Sequence, residues 1–416
     1  MVVYVLDLNG NPLMPTRRFG KVRRLLNSKQ AKVVRRKPFT IKLLYETETH
    51  VVQDCTLGVD TGSANIGTAV YSEGKILYTS QVQIRNDIKY KMDDRRGYRR
   101  GRRFRHTRYR KARFLNRRNS IKKDRFSPTM KSKFDAHIRE IEFIKSILPI
   151  NQLVLETGTF DAHLMKNPIL ANEKVRHWGY QKGSNYGFEN TKAKVLNRDN
   201  YTCQCCKTRK GNLHVHHIVY RSNGGSDEED NLIVLCKSCH DKLHKGKLKD
   251  FEAKLKGKRK GQLKHATQMN SIRIQLLKHY PDAIETFGYI TKTNRYALDV
   301  GKDHYLDACV IASGGKPFEI ESKTYYKNLV GNGNRRLAMF RKVPIQQTKS
   351  KVYGFTKYDE VKYKKNNYFI YATSKTGNFV VVDIFGNKSD FGLKTLGSVN
   401  PKQLVKVSAR RTVLCA

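Results

Sequence analysis

Residues 203–244 read CQCCKTRKGNLHVHHIVYRSNGGSDEEDNLIVLCKSCHDKLH, and two Cys-x-x-Cys pairs enclose this stretch. The first pair is Cys203 and Cys206, and the second, after 29 intervening residues, is Cys236 and Cys239. Four thiolates form a tetrahedral structural zinc site, and paired spacing of this kind in a reducing compartment indicates metal binding rather than disulfides. The sequence therefore predicts one structural Zn²⁺, with Cys205 as an alternative ligand.

Histidines are concentrated in the same stretch, and the zinc does not account for them. His216 and His217 are neighbours in a strand-like run and point to opposite faces, whereas His240 and His244 are one helical turn apart. If these residues had no catalytic role, they and Asn231 would be surface side chains of a small zinc module. The stretch instead closely resembles the ββα-metal nuclease core of the HNH type.

The HNH resemblance implies a role for each of these residues. His217 is the general base, because a neutral imidazole can take a proton from water at physiological pH. His216, His240 and His244 hold a single divalent ion, Mg²⁺ or another, on the scissile phosphate. Asn231 orients the loop and the base.

A second set of polar residues is spread along the chain at the ends of predicted elements. Asp60 closes the strand-like run 56–60, Glu156 follows the apolar run 152–155, and His304 and Asp307 begin a helical run at 302–312. Three acids so placed in an α/β domain are able to clamp two Mg²⁺ ions about 4 Å apart. Taken singly, an Asp after a strand is more often a helix cap or a turn residue.

The charge of the chain indicates a polyanionic partner. The 416 residues carry 82 Lys and Arg against 36 Asp and Glu, a formal net charge of +46. A folded surface of that charge favours nucleic acid, and a membrane is the weaker alternative because no amphipathic anchor is visible. We find neither a signal peptide nor an apolar run near 18 residues, and we expect a cytoplasmic, nucleoid-associated prokaryotic protein.

One segment is more basic than any other. Twelve arginines lie between residues 95 and 118, interleaved with aromatic residues. A guanidinium group binds phosphate through two hydrogen bonds and stacks on bases, so this run predicts nucleic-acid contact rather than a solvated helix face, which usually mixes charge signs. The predicted RNA-binding residues are Arg95, Arg96, Arg99, Arg100, Arg102, Arg103, Arg105, Arg108, Arg110, Arg113, Arg117 and Arg118.

The remaining pattern predicts a multidomain α/β protein. Residues 1 to about 52 alternate strands and a helix as a small basic αβ module. Residues 56–80 read as a strand meander. From about 317 onward, short predicted strands at 351–355, 368–373 and 378–384 indicate a small β-barrel or sandwich.

The order of these features resembles the IscB family, the transposon-encoded relatives of the CRISPR type II effector. Residues 57–67, 153–161 and 304–312 resemble the three motifs of a split RuvC nuclease with an RNase H-like core, and the arginine-rich run resembles the bridge helix. Residues 11–15, NPLMP, match the motif that names the amino-terminal PLMP domain of that family. Thr61 departs from the family, which often has Pro after the catalytic Asp.

The resemblance also implies a domain order, with the HNH domain inserted into RuvC. The expected boundaries are PLMP 1–52, RuvC part I 53–85, bridge helix 86–125, RuvC part II 126–160, linker 161–189, HNH 190–246, linker 247–264, RuvC part III 265–316, and a β domain 317–416 that contacts a target-adjacent motif.

The implied function is RNA-guided DNA cleavage. A structured ωRNA would guide the protein to double-stranded DNA, the HNH domain would cut the guide-paired strand, and RuvC would cut the displaced strand, as a monomeric ribonucleoprotein with no membrane partner. The expected cofactors are two Mg²⁺ in RuvC, one divalent ion in HNH and structural Zn²⁺. Two alternatives stay open: a protein-guided HNH endonuclease of the homing or restriction kind, and a nucleic-acid-binding regulator without catalytic activity.

Overall fold

The computed structural model describes residues 2–47, 52–104, 126–159, 171–172, 186–257, 263–331, 352–373, 377–391 and 396–416. The chain divides into two compact units, which we call the first unit (residues 1–158 and 271–416) and the second unit (residues 159–270). Both contain helices and strands, so the expected multidomain α/β class is confirmed. Within the described ranges, no helix has the length and apolar character needed to cross a membrane.

Helices and strands are numbered in chain order. The helices of the described residues are α1 (Phe19–Asn27), α2 (Ile88–Phe104), α3 (Pro128–Lys145), α4 (Thr191–Arg198), α5 (Lys237–His244), α6 (Lys249–Lys254), α7 (Leu263–His279), α8 (Gly288–Ala297) and α9 (His304–Ser313). The strands are β1 (Val3–Leu6), β2 (Pro12–Thr16), β3 (Ala31–Arg36), β4 (Phe39–Leu43), β5 (Thr56–Asp60), β6 (Asn65–Ser72), β7 (Lys75–Gln83), β8 (Gln152–Thr157), β9 (Leu213–His217), β10 (Leu232–Cys236), β11 (Ile284–Phe287), β12 (Glu319–Ile320), β13 (Thr324–Leu329), β14 (Glu360–Tyr363), β15 (Asn366–Thr373), β16 (Phe379–Val382), β17 (Ser398–Val399), β18 (Val405–Ser408) and β19 (Val413–Cys415).

The amino-terminal module is a four-stranded sheet in the order β2-β1-β4-β3, with helix α1 packed on it. Val5, Val22 and Ile41 are among the apolar side chains of its core. The predicted turn after β1 is closed by Asp7, whose carboxylate accepts three backbone N–H groups, from residues 9 to 11, at 2.6 to 2.8 Å. The predicted αβ module therefore has a compact core of its own.

The largest sheet of the first unit follows the order β11-β8-β5-β6-β7-β13-β19. Strands β5, β6 and β7 form the predicted antiparallel meander, and β8 pairs parallel to β5. In that parallel register Asp60 lies beside Glu156. The sheet thus places two of the predicted catalytic acids on neighbouring strands.

The carboxy-terminal region contributes to two sheets. β13 pairs parallel to β7, and β19 pairs antiparallel to β13, so both extend the large sheet. The predicted boundary at residue 317 therefore does not coincide with a change of sheet. The reason is physical: β13 pairs with a strand some 240 residues earlier in the chain (Thr324 with Thr79), and alternation within a strand does not specify a distant partner.

The other carboxy-terminal strands form a five-stranded antiparallel sheet in the order β17-β16-β15-β14-β18, with Val361, Phe379 and Val381 in its core. The predicted strand at 351–355 is corrected: its described part, 352–355, is a turn in which Val352 pairs with Phe355. Gly354 has a φ of +82° in this turn, a backbone conformation that interrupts a strand.

The second unit is built on a hairpin followed by a helix. β9 and β10 pair antiparallel, placing His216 opposite Ile233 and His217 opposite Leu232, and α5 follows β10 directly. The buried side chains Leu235, Cys203 and Leu243 share one core. This arrangement of two strands and a helix is the one that the HNH resemblance implied.

Candidate functional site

The four predicted zinc ligands meet in the second unit. The sulfur atoms of Cys203, Cys206, Cys236 and Cys239 all lie within 4.8 Å of one another. The Cys206 and Cys236 sulfurs are 3.7 Å apart, close to the separation of about 3.8 Å that follows from tetrahedral geometry at Zn–S bonds of about 2.3 Å. The cluster therefore fits Zn²⁺. Cys205 packs against the same core but is not part of the cluster.

Removal of one cluster thiol gives the first prediction. Cys206→Ser is expected to release zinc and to make residues 186–257 sensitive to proteolysis, because a structural zinc contributes directly to folding free energy. Cys205→Ser is the matched control and should keep its zinc. Metal content by mass spectrometry and limited proteolysis measure both effects, and zinc loss from the control instead would make Cys205 the ligand.

Three histidines form a second group beside the zinc cluster. The ring nitrogens of His216 on β9 and of His240 and His244 on α5 lie within 4.8 Å of one another. His216 is 4% exposed, and burial, together with the two neighbouring imidazoles, lowers its pKa to about 4. His216 is consequently neutral at physiological pH, as a metal ligand must be. The donor set fits one divalent ion.

His217 follows His216 on strand β9, so its side chain points to the opposite face of the strand. Its Nε2 lies 2.9 Å from the Oδ1 of Asp227, and the Arg221 Nε lies 2.7 Å from that same carboxylate oxygen. Sequence reasoning missed both partners. They lie in the loop between β9 and β10, and such loops position polar groups without any periodic pattern.

Asn231 holds that loop together. Its side chain is fully buried, its Oδ1 accepts from the Val219 N–H at 2.9 Å, and its Nδ2 donates to the carbonyls of Val219 and Ser226. A buried amide with all of these bonds made is costly to replace. Asn231 therefore fixes residues 219–226, the part of the β9–β10 loop that carries Arg221 and precedes Asp227, and it makes no direct hydrogen bond to His217.

The dispersed acids meet in the first unit. Asp60 and Glu156 end neighbouring strands, and helix α9 brings His304 and Asp307 to them. The His304 Nδ1 lies 2.7 Å from the Oδ2 of Asp60. The Arg295 Nε, on α8, lies 3.3 Å from the Oδ1 of Asp307. Unlike the cysteine and histidine groups, the three carboxylates are not gathered within 4.8 Å of one another in the described part of the chain.

The electrostatics of this acidic site favour a cation. Burial is the main reason why the pKa of Glu156 is raised to about 7; the nearby carboxylates of Asp60 and Asp307 act in the same direction, and a hydrogen bond from Thr291 acts against it. Burial and Asp60 also raise the pKa of Asp307. Glu156 Oε2 is buried without a hydrogen-bond partner among the described residues, and the buried Asp307 Oδ1 has only the ion pair with Arg295. Buried, unsatisfied carboxylate oxygens fit Mg²⁺, which prefers oxygen ligands.

The raised pKa of Glu156 predicts a pH-dependent stability. Because its folded pKa, about 7, lies above the usual value, the protonated form stabilises the fold, and this contribution is lost as pH rises from about 4.5 through 7. In the absence of divalent ions, the melting temperature of Glu156→Gln should be higher than that of the wild type at pH 8. At pH 5 the two melting temperatures should be nearly equal. Glu319→Gln, at an exposed position, is the control. An equal difference in melting temperature between variant and wild type at both pH values would contradict the raised pKa of Glu156.

Two glycines allow helix α9 to reach the acids. A Cβ atom at Gly67 on β6 would lie 1.9 Å from the carbonyl oxygen of His304, and one at Gly58 on β5 would lie 2.5 Å from the backbone nitrogen of Ala312. Distances under 3.0 Å are forbidden contacts, so the helix lies directly on the sheet backbone at both places. A side chain at either position would push His304 and Asp307 away from Asp60.

This contact gives a prediction with a matched control. Gly67→Ala is expected to abolish catalysis at the acidic site and to lower stability by roughly 1–3 kcal/mol, as overpacking does. Gly20→Ala, in α1 where the added Cβ meets nothing within 4 Å, should leave cleavage unchanged and should not lower stability, since alanine is the better helix former. Strand-resolved cleavage assays and thermal melting distinguish the two variants; wild-type cleavage by Gly67→Ala would contradict the close approach.

The structure describes part of the arginine-rich segment. Arg95, Arg96, Arg99 and Arg100 are exposed on helix α2. The helix backbone continues through Arg102 and Arg103. The remaining predicted positions, Arg105, Arg108, Arg110, Arg113, Arg117 and Arg118, lie outside the described residues.

Comparisons with known proteins agree with this geometry. Residues 203–246 match the family of HNH endonucleases, and residues 3–183 match the family of RRXRR proteins. The chain is 41% identical over 64 residues to Anaredoxin from Nostoc sp., covering 84% of that protein and 15% of this one. It is also 38% identical over 64 residues to the type IV methyl-directed restriction enzyme EcoKMcrA of Escherichia coli, covering 23% of that enzyme and 14% of this chain.

Two solved structures are similar to parts of the chain. Streptococcus thermophilus Cas9 in complex with the AGAA PAM has a TM-score of 0.33 and 13% identity, over 62% of this chain and 32% of that one. The type II-C Cas9 of Actinomyces naeslundii has a TM-score of 0.16 and 16% identity, over 44% of this chain and 27% of that one. This chain thus spans about a third or less of either Cas9.

The class of protein follows from the family match and the histidine geometry. Residues 203–246 match the HNH endonuclease family, so this chain contains an HNH endonuclease domain. The HNH prediction is therefore confirmed. Together with the RRXRR region, this domain supports a nuclease of the Cas9 and IscB type. Membership of IscB itself and the PLMP assignment of the amino-terminal module stay predictions.

Proposed function

We propose that this protein is an RNA-guided DNA endonuclease of the IscB family with two separate cutting sites. The observation that supports this most strongly is the presence of two independent catalytic constellations in one chain: the histidine group of the second unit and the acidic site of the first unit. Under this proposal the HNH domain cuts the guide-paired strand, and the acidic site, as a RuvC nuclease, cuts the displaced strand.

At the HNH site the general base is His217. Nε2 of His217 lies 2.9 Å from Oδ1 of Asp227 and 3.2 Å from Nε of Arg221. In the tautomer that is protonated at Nε2 and donates to Asp227, Nδ1 of His217 is the atom that takes a proton from the attacking water. His216, His240 and His244 would hold the divalent ion. When bound, that ion would supply positive charge for the scissile phosphate and the leaving oxygen.

At the acidic site Asp60, Glu156 and Asp307 would hold two Mg²⁺ ions, which supply the charge that stabilises the attacking and leaving oxygens. Asp60 raises the pKa of His304 through their hydrogen bond, against the effect of burial. A protonated His304 is able to donate a proton near the leaving oxygen. Arg295 partly neutralises Asp307 before metal binds.

RNA guidance is supported by the positive charge of the chain. A net charge of +46 and the exposed arginines of α2 suit a large RNA. Under this proposal the bound RNA is a structured ωRNA. The five-stranded carboxy-terminal sheet would contact the target-adjacent motif.

Sequencing of co-purified RNA tests this proposal. The gene is expressed with its native flanking DNA, the protein is purified at moderately high salt, and the bound RNA is sequenced. We expect one structured species that maps beside the gene and has a variable end. Only heterogeneous host RNA would mean that the positive charge binds polyanions without selection, and would contradict RNA guidance.

The match to a methyl-directed restriction enzyme favours one alternative, a protein-guided HNH endonuclease. In that case the protein's own side chains would read the DNA. Site-specific cleavage by protein that has been treated with ribonuclease and stripped of RNA would establish this alternative.

A further inference from the structure

One face of helix α8 is fixed against the acidic site. A Cβ at Gly288 would lie 3.1 Å from Oε1 of Glu156. The hydroxyl of Thr291, a residue that is 5% exposed, hydrogen-bonds to Glu156, and Arg295 lies 3.3 Å from Asp307. Gly288, Thr291 and Arg295 follow the spacing of one helix face. The orientation of α8 relative to the carboxylates is therefore set.

The neighbouring face of α8 carries two strongly exposed aromatic residues. Tyr289 is 70% exposed and Tyr296 is 68% exposed, with Lys292 between them at helical spacing. Each of these residues follows one of the inward-facing residues, so this face lies about 100° around the helix from the carboxylates. The two tyrosines are separated by about 10 Å along the helix axis.

Two cations lie over the ring of Tyr296, and another aromatic ring lies beside that of Tyr289. The Lys292 Nζ and the Arg295 Cζ lie 5.8 and 5.2 Å from the Tyr296 ring centroid. The ring of Phe287 lies parallel to that of Tyr289, with centroids 6.2 Å apart. Single exposed aromatic residues on a protein surface need no explanation. A row of aromatic rings with interleaved cations beside a cluster of acids fits a strand whose bases stack and whose phosphates need neutralisation.

We propose that Tyr289, Lys292 and Tyr296 form a stacking platform that holds unpaired bases of a DNA strand and delivers its phosphate to the acidic site. This inference rests on the proposed function, because it names how the displaced strand is held for the second cut. Paired bases already stack within a duplex, so the platform selects single-stranded over double-stranded DNA. Tyr289 and Tyr296 are positioning residues, and they take no part in proton transfer.

The test compares strand-resolved cleavage by ribonucleoproteins assembled from variant proteins. In the Tyr289→Ala/Tyr296→Ala double variant, the displaced-strand cut should slow about 25-fold or more relative to the guide-paired cut, since each of the two lost stacked bases costs about fivefold or more. Tyr289→Phe/Tyr296→Phe should restore the ratio because phenylalanine retains the ring. Tyr186→Ala, which removes another exposed tyrosine, is the matched control.

A second readout follows the bases directly. 2-Aminopurine in the unpaired strand of the DNA loses fluorescence when it stacks, so the wild type and the Phe variants should quench it and the double Ala variant should not. A wild-type cleavage ratio and wild-type quenching in the double Ala variant would overturn the platform while leaving the proposed function intact. A displaced-strand cut that survives Asp60→Ala would instead overturn the proposed function itself.

Discussion

His217→Ala is expected to slow cutting of the guide-paired strand by about 10²- to 10⁴-fold, the typical contribution of a general base, and to leave cutting of the displaced strand unchanged. The specificity follows from the structure, since His217 lies in the second unit and the acidic site in the first unit. The zinc cluster and the His216 group are left intact, so the domain should fold normally.

The measurement is a cleavage assay on DNA labelled separately on each strand. His279→Ala, which removes an exposed histidine of the first unit, is the control and should cut both strands. Loss of both cuts in His217→Ala would contradict the assignment of one strand to each site.

Asp60→Ala is expected to give the opposite result, a nick only in the guide-paired strand. The substitution removes a carboxylate of the acidic site together with the partner of His304. The rate of displaced-strand cutting should fall by more than the roughly 10- to 100-fold that follows removal of an outer-shell partner of a metal site, because Asp60 would bind the ion directly.

Asp54→Ala is the matched control for this variant. Asp54 is exposed and lies just before β5, so both cuts should continue at the wild-type rate. A displaced-strand cut that persists in Asp60→Ala would show that another site cuts that strand.

Local spacing explains why part of the molecule could be predicted from the sequence. Each cysteine pair is held together locally, because Cys203 and Cys206 lie at a turn and Cys236 caps the helix that carries Cys239. His240 and His244 meet because they are one helical turn apart. Asp60 and Glu156 could be placed at strand ends because strands β5 and β8 have clear apolar patterns.

Contacts between distant segments could not be predicted in the same way. The close approach of α9 to Gly58 and Gly67 depends on three-dimensional packing, and a glycine in a strand has no pattern that names its neighbour. Residues 284–290 look like one strand in the sequence, but β11 ends at Phe287 and α8 begins at Gly288, where the helix packs against Glu156 and Asp307. Because residues 288–297 form a helix, Tyr289 and Tyr296 lie on one helix face, an arrangement that the sequence pattern did not indicate.

Exchange of the guide tests the central proposal most directly. The variable end of the co-purified RNA is replaced by a new sequence, and the ribonucleoprotein is given two plasmids that differ only in which guide they match. We predict that both cuts move to the plasmid that matches the new guide, with His217→Ala and Asp60→Ala each removing one of them. Cleavage that stays at the original sequence whatever RNA is supplied would contradict RNA guidance.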